Sequence, residues 1–461
     1  MSSMHITGLI SFYLALLIGK IIACLSKLFP FIGGTALPGL IALKIDPQLI
    51  KKFQQTNKLQ SIIITGTNGK TTTSHLTSHI LTTAGKKFIH NKTGSNLLRG
   101  IASVLINQSS IFAKLPANLA LWEIDEAILP SAINQLKPKI VLFTNLFRDQ
   151  LDRYGEINTV LTNWQQAVAK LPQSSHLIIN LDDPSLNYLS HSFKHKPNIS
   201  SFSLSQQLST RQTPLHGSDA LFCPKCLAPL NFTHIFTSHL SHYHCSKCSF
   251  KHNKPQLILK PTSKKSQYTI YNNQASFPVK FHLPGIYNLY NLLASINIAQ
   301  TLNIPQDIIQ TAVKDFQPAF GRAEEFKINN KQTKMLLIKN PAGFNAVLEM
   351  LAKKKHLLTQ PLLIAINDLT ADGKDVSWLW DVNFKLLKSR KSPVIITGLR
   401  SYDMALRLKY AGLNEKYITL LPSFKKALNQ LKKSSSQPVY ILPTYTAMLN
   451  IRKILKQQHL N

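Results

Sequence analysis

The chain has 461 residues, of which 44% are hydrophobic, so it is long enough for about three domains and too apolar to be a disordered protein. Its net charge of +32, from 53 basic and 21 acidic residues, predicts an anionic partner: nucleic acid, an anionic membrane surface, a phosphorylated substrate or an acidic protein. Four of the five cysteines form two CxxC pairs and Cys24 stands alone, a pattern typical of a metal site in a reducing compartment, not of a disulfide framework.

Residues 6–32 are strongly apolar. The uninterrupted apolar run before Lys20 is too short to span a bilayer. Neither a basic start nor a convincing small-residue cleavage site indicates a signal peptide. We predict a core helix that packs on the next domain. The alternative is a helix that lies on the membrane, with Lys20 and Lys27 on its polar face.

Residues 61–76, SIIITGTNGKTTTSHL, predict a buried strand, a glycine loop and the start of a helix. Glycines let backbone N–H groups converge on a phosphate, and the helix N-terminus adds positive potential. Lys70 can reach the outer phosphates, and the Thr71 hydroxyl is placed to hold Mg²⁺. The loop is two residues shorter than the common G-x-x-x-x-G-K-[ST] pattern. The two glycines, the lysine and three threonines still favour a phosphate loop over an ordinary strand–turn–helix.

Further apolar strands are predicted at 119–124, 140–144 and 177–180, between helical stretches. This alternation favours a parallel, doubly wound α/β sheet. The first of these strands delivers Glu123 and two neighbouring acids at its carboxyl end. Ligands bind at that edge of open α/β sheets.

The two CxxC pairs are separated by eighteen residues, which fits a tetrahedral Cys₄ zinc ribbon. The neighbouring His242 and His244 are predicted to be ribbon surface, because four thiolates already close the site. A reduced, empty ribbon and a redox pair are the alternatives. The four expected zinc ligands are Cys223, Cys226, Cys245 and Cys248.

Beyond the ribbon, strands are predicted at 268–271 and 277–282, followed by an amphipathic helix within 283–299. Asn288 and Asn291 share one face of that helix, although such a pair is also typical of a cap plus a surface residue. The chain returns to α/β alternation from about residue 321. We therefore predict an N-terminal helical segment at 1–50, an ATP-binding domain at 51–320 with the ribbon at about 218–254, and a smaller C-terminal α/β domain at 321–461.

Six motifs follow one another along the chain: TGTNGKTTT, EIDEA, TNLFRDQLDRYGEI, NLDDP, YNLYN and GRAEEF. In this order they resemble the Mur ligase family, ATP-dependent enzymes that join amino acids to peptidoglycan precursors. The resemblance covers nearly the whole chain and implies a Mur ligase-like fold. The ribbon, NPAGFN and NDLTADGKDVSWLWD narrow it to the branch that amidates the α-carboxyl of D-glutamate in the lipid II stem peptide, giving D-isoglutamine.

The implied chemistry is the activation of a carboxylate, which is a poor electrophile, by ATP. The resulting acyl phosphate is attacked by ammonia, so phosphate charge must be neutralised and Mg²⁺ held. By resemblance, Thr71 and Glu123 hold Mg²⁺, although Glu123 could instead be a strand-end surface acid. Asn288, Asn291 and Arg322 match family positions near the nucleotide. The expected phosphate-binding residues are Gly66, Thr67, Asn68, Gly69, Lys70, Thr71 and Thr72.

The chain departs from the family at three places. Gln150 stands where typical members carry a histidine, and Tyr287 precedes Asn288 where they carry another. Residues 336–341, LLIKNP, replace the family's DYAHNP and lose both its aspartate and its histidine. Those residues serve the metal and amino-acid sites of the family. Their loss favours a ligase whose nucleophile is ammonia, which has no carboxylate to grip.

No glutaminase is visible in the chain, because four cysteines are committed to zinc and Cys24 lies in an apolar helix, a poor place for a thiolate. The resemblance implies a separate GatD-like glutamine amidotransferase subunit, whose Cys–His pair is completed by an aspartate from the loop ADGKDVSW. An acid of this kind orients and stabilises the imidazolium. We assign Asp375, with Asp372 as second choice; the alternative is a loop aspartate that caps the helix beginning at Ser377.

Three functions are therefore compared. The first is a cytoplasmic ATP-dependent amidoligase subunit that meets lipid II at the inner face of the membrane and binds no nucleic acid. The second is a conventional Mur ligase that adds an amino acid. The third is a nucleic-acid-binding ATPase. Proteins that bind single strands interleave aromatic and basic residues, and such clusters are not found in this sequence, which argues against this function. ATP, Mg²⁺ and Zn²⁺ are the expected cofactors of the first.

Overall fold

The structure is a computed structural model, and it describes residues 6–28, 35–92, 94–149, 157–195, 198–209, 211–214, 218–272, 275–317, 322–328, 331–353, 356–434 and 436–459. We number its strands in chain order. They are β1 (Gln60–Thr65), β2 (Ile89–His90), β3 (Leu119–Glu123), β4 (Ile140–Phe143), β5 (His176–Asn180), β6 (Ile199–Leu204), β7 (Leu230–Thr237), β8 (Leu240–Cys245), β9 (Leu257–Pro261), β10 (Gln267–Asn272), β11 (Ser276–Lys280), β12 (Arg322–Ile328), β13 (Lys331–Leu336), β14 (Leu362–Ala365), β15 (Val394–Thr397), β16 (Ile418–Leu420) and β17 (Val439–Pro443).

Helices alternate with most of these strands, as the sequence pattern predicts for an α/β fold. The α-helices span Ile6–Leu28, Leu37–Ile45, Leu49–Asn57, Lys70–Thr83, Leu98–Gln108, Leu129–Leu136, Ile157–Val168, Pro184–Ser190, Ile286–Thr301, Gln306–Asp315, Pro341–Lys353, His356–Thr359, Ser401–Tyr410, Phe424–Lys432 and Tyr445–His459. Short 3₁₀ helices span Gln206–Leu208, Ser377–Asp381, Phe384–Leu387 and Glu415–Tyr417.

Among the described residues, nine strands form one large sheet in the order β11-β10-β9-β6-β5-β4-β1-β3-β2. The seven strands β9-β6-β5-β4-β1-β3-β2 run parallel to their neighbours, and β10 and β11 add an antiparallel edge. Side chains that alternate along β1 enter two different apolar cores, with Ile63 in one and Ile62 and Ile64 in the other. Both faces of the sheet are therefore buried, which confirms the doubly wound architecture and explains the continuous apolar strands.

A second sheet in the described part of the chain has the order β12-β13-β17-β14-β15-β16. All its neighbours are parallel except β12 and β13, which form an antiparallel pair. Its two faces pack separate apolar cores. This arrangement confirms the predicted smaller C-terminal α/β unit. The strand expected at 335–339 ends earlier, at Leu336, and leaves Ile338 and Lys339 in the following loop.

The N-terminal helix, Ile6–Leu28, packs one face on the large sheet's helices and buries Phe12 and Leu16. Lys52 Nζ is buried and donates to the Gly8 carbonyl oxygen at 2.6 Å and to Asp46 Oδ2 at 2.6 Å. A buried ammonium needs such partners, because removing it from water is costly. The predicted packing on the next domain is therefore seen, but only for one face of the helix.

The cysteine-bearing insertion is a two-stranded hairpin, β7-β8, that rests on the large sheet through a polar cluster. Asp182, fully buried at the end of β5, accepts hydrogen bonds from Tyr290 Oη at 2.8 Å and from the Leu204 backbone N–H at 3.0 Å. His252 Nε2 lies 2.8 Å from the other carboxylate oxygen of Asp182. His242 packs in the same cluster and is only partly exposed, so the prediction that it is ribbon surface is wrong.

Candidate active site

The phosphate loop follows β1, and its two glycines adopt backbone conformations that other residues avoid. Gly66 has φ +124° and Gly69 has φ +87°, both in the region that favours glycine. A Cβ on Gly66 would lie 2.2 Å from Thr144 Oγ1, and one on Gly69 would lie 2.2 Å from Asn291 Oδ1. Any side chain at either position would therefore adopt a strained backbone conformation and displace a neighbour.

Lys70 opens the helix after the loop, and its ammonium is buried. Its Nζ donates to the Gly66 carbonyl oxygen at 2.5 Å, to the Thr67 carbonyl oxygen at 3.2 Å and to Glu126 Oε2 at 2.7 Å. Burial raises the pKa of Glu126, and the Lys70 charge opposes that rise. The other carboxylate oxygen of Glu126 is buried and finds no hydrogen-bond partner among the described residues. The loop thus holds a cation beside an acid with one unused oxygen.

Thr71 and Glu123 form a pair of oxygen ligands at the foot of the loop. Thr71 Oγ1 donates to Glu123 Oε1 at 3.0 Å. The Asn91 side chain fixes the Glu123 backbone with two hydrogen bonds, each 2.9 Å long. Glu123 is buried and is therefore not a surface acid. A hydroxyl and a carboxylate are the hard oxygen ligands that Mg²⁺ prefers, so the residues fit the metal predicted for this position.

Asn288 and Asn291 lie together on the helix Ile286–Thr301, and both are buried. Asn291 Nδ2 donates to Asn288 Oδ1 at 3.1 Å, and Thr73 Oγ1 donates to Asn291 Oδ1 at 3.2 Å. Their burial excludes the alternative of a cap plus a surface residue. The helix that carries them is thereby joined to the phosphate-loop helix.

A cleft opens beside these asparagines, between the two α/β units. Its empty volume, including open solvent, is about 990 Å³, at the upper end of the roughly 300–1,000 Å³ usual for ligand sites. Polar amides lie on the loop side, and apolar side chains come from the C-terminal unit. The residues that line the cleft include Asn68, Gly69, Thr72, Asn288, Asn291 and Lys339.

Two contacts join the phosphate loop to the C-terminal unit. Asn68 and Asn340 exchange side-chain amide hydrogen bonds at 3.3 and 3.1 Å. Lys339, at the position of the family's histidine, forms an ion pair with Asp149. Sequence reasoning did not select Asn340, Lys339, Asp149 or Glu126 as site residues. The hydrogen-bond and ion-pair partners of these residues are far away in the chain. Only Glu126 carried a signal in the sequence, because it follows the end of a predicted strand.

A second cavity lies on the other side of Lys339 and is lined by Asp149, Asp372 and Asp375 among others. Asp372 is buried and accepts a hydrogen bond from the Thr446 N–H at 2.8 Å. Burial raises the pKa of Asp372, while the Thr446 hydroxyl and N–H oppose the rise. Asp375 is exposed and accepts from the Ser377 N–H and hydroxyl, both at 2.8 Å. Asp375 therefore hydrogen-bonds the first residue of the 3₁₀ helix, close to the alternative capping role, and it still faces solvent.

The four ribbon cysteines come together as predicted. The Sγ atoms of Cys223 and Cys248 are 3.7 Å apart, those of Cys226 and Cys245 are 3.4 Å apart, and all four lie within 4.8 Å of one another. A tetrahedron with Zn–S bonds of about 2.3 Å has S–S edges of roughly 3.8 Å, so the geometry fits zinc. His244 lies on the exposed outer side, 3.4 Å from Asn231.

The remaining predicted site residues are placed as follows. Thr67 is buried and its hydroxyl donates to the Phe147 carbonyl oxygen at 3.1 Å, while Thr72 lines the cleft. Gln150 and the side chain of Arg322 lie outside the described part of the chain.

Comparison with known proteins places this arrangement in a family. Residues 64–222 match the Mur ligase middle domain, and residues 337–448 match the MurT ligase C-terminal domain. The fold is similar to that of a pseudomurein peptide ligase type C from Methanothermus fervidus, with TM-score 0.67, 20% identity, and 89% of this chain and 81% of that chain covered. It is also similar to MurF from Acinetobacter baumannii, with TM-score 0.62, 14% identity, and coverage of 90% and 80%.

Sequence relatives are more specific than these folds. The MurT subunit of the glutamine-hydrolyzing lipid II isoglutaminyl synthase of Streptococcus pneumoniae is 31% identical over 437 residues, which cover 93% of each chain. The MurT subunit of the same enzyme of Staphylococcus aureus is 31% identical over 426 residues, 90% of this chain and 91% of that one. The chain therefore belongs to the MurT family of Mur ligase-like, ATP-dependent ligase subunits.

Proposed function

We propose that the chain is the ligase subunit of a glutamine-dependent enzyme that amidates the α-carboxyl of D-glutamate in the lipid II stem peptide, giving D-isoglutamine. Its relatives are named subunits of lipid II isoglutaminyl synthase. The observation that carries the proposal is the position of Lys339, which lines both the cleft beside the phosphate loop and the cavity that contains Asp375. An ATP-type site and the loop predicted to meet a glutaminase therefore lie on either side of Lys339.

The phosphate loop would bind ATP, with backbone N–H groups and Lys70 facing its phosphates. Lys70 would then exchange part of its contact with Glu126 for a phosphate oxygen. When bound, Mg²⁺ neutralises phosphate charge and is held by Thr71 and Glu123. Asn288 and Asn291 would position the nucleotide from the opposite wall of the cleft. These residues orient the terminal phosphate toward a substrate carboxylate, and an acyl phosphate forms as the bond to ADP breaks.

Ammonia would then attack the acyl phosphate and release phosphate. Ammonia has no carboxylate, so the site does not need the residues with which the family binds the carboxylate of an incoming amino acid. Lys339 instead pairs with Asp149, which holds the lysine at the junction of the two cavities. Ammonia released beside Asp375 would reach the cleft past Lys339 and Asn340, both of which line the connecting cavity.

The partner subunit would dock on an exposed aromatic patch around Asp375. Five large side chains there are 50–71% exposed. Three of them follow one another at four-residue spacing on the helix Ser401–Tyr410, so they share one face. Aromatic residues are enriched in protein interfaces, and Asp375 shares a surface depression with one of them. We propose a GatD-like glutaminase as the occupant. The patch consists of Trp380, Leu399, Tyr402, Leu406 and Tyr410.

We also propose the division of the chain at 1–50, 51–320 and 321–461, supported by the two separate sheets. A cytoplasmic location at the inner face of the membrane follows from a reaction that uses ATP on a lipid-linked substrate. The four ribbon cysteines would hold a structural zinc ion that joins the two CxxC turns at the ends of the hairpin.

The test compares two nitrogen sources in the complex of the chain with its partner. Asp375→Asn should reduce glutamine-dependent amidation by about 10² to 10⁴-fold, because an orienting acid contributes on that scale to a His-based site. Amidation with free ammonia should stay within about twofold, since the ATP cleft is untouched. Asp372→Asn is the matched control, and a larger glutamine-specific loss there would move the role to Asp372. Equal loss with both nitrogen sources would remove Asp375 from the glutaminase role.

A further inference from the structure

The helix Ile6–Leu28 has a second apolar face, opposite the one packed on the protein. Its large side chains repeat every three or four residues, so they form one continuous stripe along the helix. They are 44–66% exposed. The two lysines of the helix lie beside the stripe and not within it. We call this stripe the N-terminal apolar face. It consists of Ile10, Leu14, Leu17, Ile21, Leu25 and Leu28.

The helix is tied to the protein near its start and beyond its middle. Lys52 reaches the Gly8 carbonyl oxygen, and Lys20 Nζ donates to the Ile106 carbonyl oxygen at 2.8 Å and to that of Ser109 at 2.5 Å. By length and composition alone the helix could cross a membrane, and only 28% of its most apolar stretch is buried inside the protein. Crossing would break both ties and strand the Lys52–Asp46 pair. The helix therefore lies along the protein surface and presents its apolar stripe outward.

A second exposed apolar segment follows the residues that Lys20 contacts. Ile111 and Phe112 follow shortly after Ser109, the residue that Lys20 contacts, and they are 64% and 68% exposed. Both precede an exposed lysine, Lys114. Exposed apolar surface of this extent, rimmed by polar residues, marks an interaction site.

Charge around this surface is one-sided. Residues 1–122 contain twelve lysines and arginines and a single acidic residue, Asp46. Asp46 is buried and paired with Lys52, so it offers no negative charge to solvent. Lys27, Lys44 and Lys114 are exposed. Basic residues beside an apolar helix face are the combination that binds anionic lipid surfaces.

We propose that the N-terminal apolar face, with Ile111 and Phe112, inserts into the surface of an anionic bilayer while the helix lies in the membrane plane. This inference rests on the proposed function in one respect: a lipid-linked substrate gives the surface its purpose. A partner protein would not need a surface without exposed acids. Anionic phospholipid head groups, in contrast, pair directly with the exposed lysines beside the apolar stripe. The cleft would then be held close to the membrane that carries the substrate.

The test is binding of the full chain to vesicles of equal parts phosphatidylglycerol and phosphatidylcholine, measured by co-sedimentation. Leu17→Glu with Ile21→Glu should weaken binding at least tenfold, because two inserted side chains become charged. Leu449→Glu, an equally exposed leucine on the helix Tyr445–His459, is the matched control and should leave binding unchanged. Vesicles of phosphatidylcholine alone, or added salt, should weaken binding of the parent chain.

A second readout separates this inference from the proposed function. The double variant should amidate a soluble, lipid-free stem-peptide substrate at the parent rate and lose activity only on lipid II in vesicles. Unchanged vesicle binding by the double variant would overturn the inference while leaving the amidase proposal standing. A self-associated parent chain that the same substitutions make monomeric, with no vesicle binding, would overturn it in favour of a second copy. A parent chain that binds vesicles but amidates neither substrate would defeat the proposed function alone.

Discussion

Replacing Lys70 by alanine should destabilise the protein in a pH-dependent way as well as abolish ATP turnover. The variant removes the ammonium 2.7 Å from Glu126 Oε2 and leaves a buried carboxylate without its cation. Breaking a buried pair from one side costs about 3–5 kcal/mol. We expect the lower end, about 3 kcal/mol, because Glu126 can take up a proton. That loss corresponds to a melting temperature lower by roughly 6–12 °C for a domain of this size.

The direction of the pH effect follows from burial. Burial raises the pKa of Glu126 above its ordinary value, and Lys70 opposes that rise in the parent protein. Without Lys70 the folded variant keeps its proton at pH values where the unfolded chain has released it. The unfolded state then binds fewer protons, so stability falls as the pH rises above the ordinary glutamate pKa. The deficit of Lys70→Ala should therefore be larger at about pH 7.5 than at about pH 5.5.

The matched variant is Lys70→Met combined with Glu126→Gln, which replaces the ion pair by neutral groups of similar size. Such replacements are often neutral or stabilising, so the melting temperature should return close to that of the parent and lose its added pH dependence. ATP turnover should stay absent, since the phosphate-facing cation is still missing. Thermal unfolding of the three proteins (the parent, Lys70→Ala and the double variant) at both pH values measures this. The reasoning would be refuted if Lys70→Ala lowered the melting temperature equally at both pH values. It would also be refuted if the double variant did not recover the melting temperature of the parent.

Two further predictions concern the metal sites. Glu123→Gln should reduce Mg²⁺-dependent ATP turnover by at least about a hundredfold, with an unchanged thermal melt; normal turnover at saturating Mg²⁺ would contradict the assignment. Cys226→Ser with Cys248→Ser should lower bound zinc, measured by elemental analysis, from about one per chain to near zero. A double variant that retains zinc would exclude the four-cysteine site.

Local sequence patterns predicted the parts of the fold that local physics determines. The phosphate loop, the buried strand before it and the burial of both sheet faces follow from glycine placement and continuous apolar runs. The cluster of four cysteines follows from cysteine spacing alone. The short strand β16, three residues long, carries too little pattern to be recognised. The strand predicted at 335–339 was displaced because its polar first half pairs with β12 and β17.

Long-range pairings were beyond sequence reasoning. Asn68 and Asn340 are 272 positions apart, and neither residue type signals its partner. His242 was expected at the surface because a nearby cysteine knuckle was already complete, but packing of the ribbon on Asp182 half-buries it. The sequence also did not reveal which face of the N-terminal helix points outward. An apolar helix shows no strong periodicity, so which face is covered depends on where Lys20 and Lys52 find their partners.

Lys339 shows how a lost family residue can be informative. The family resemblance implies that a histidine at this position serves the metal and amino-acid sites, and a lysine is a poor metal ligand while it stays protonated. Here the ammonium is paired with Asp149, so the position holds a fixed ion pair between two cavities. A fixed pair suits a site crossed by a small neutral nucleophile, because ammonia needs neither a metal ligand nor a carboxylate partner on its way to the acyl phosphate. The same substitution would leave an incoming amino acid without its expected contacts, which is why this side of the cleft favours amidation over peptide-bond formation.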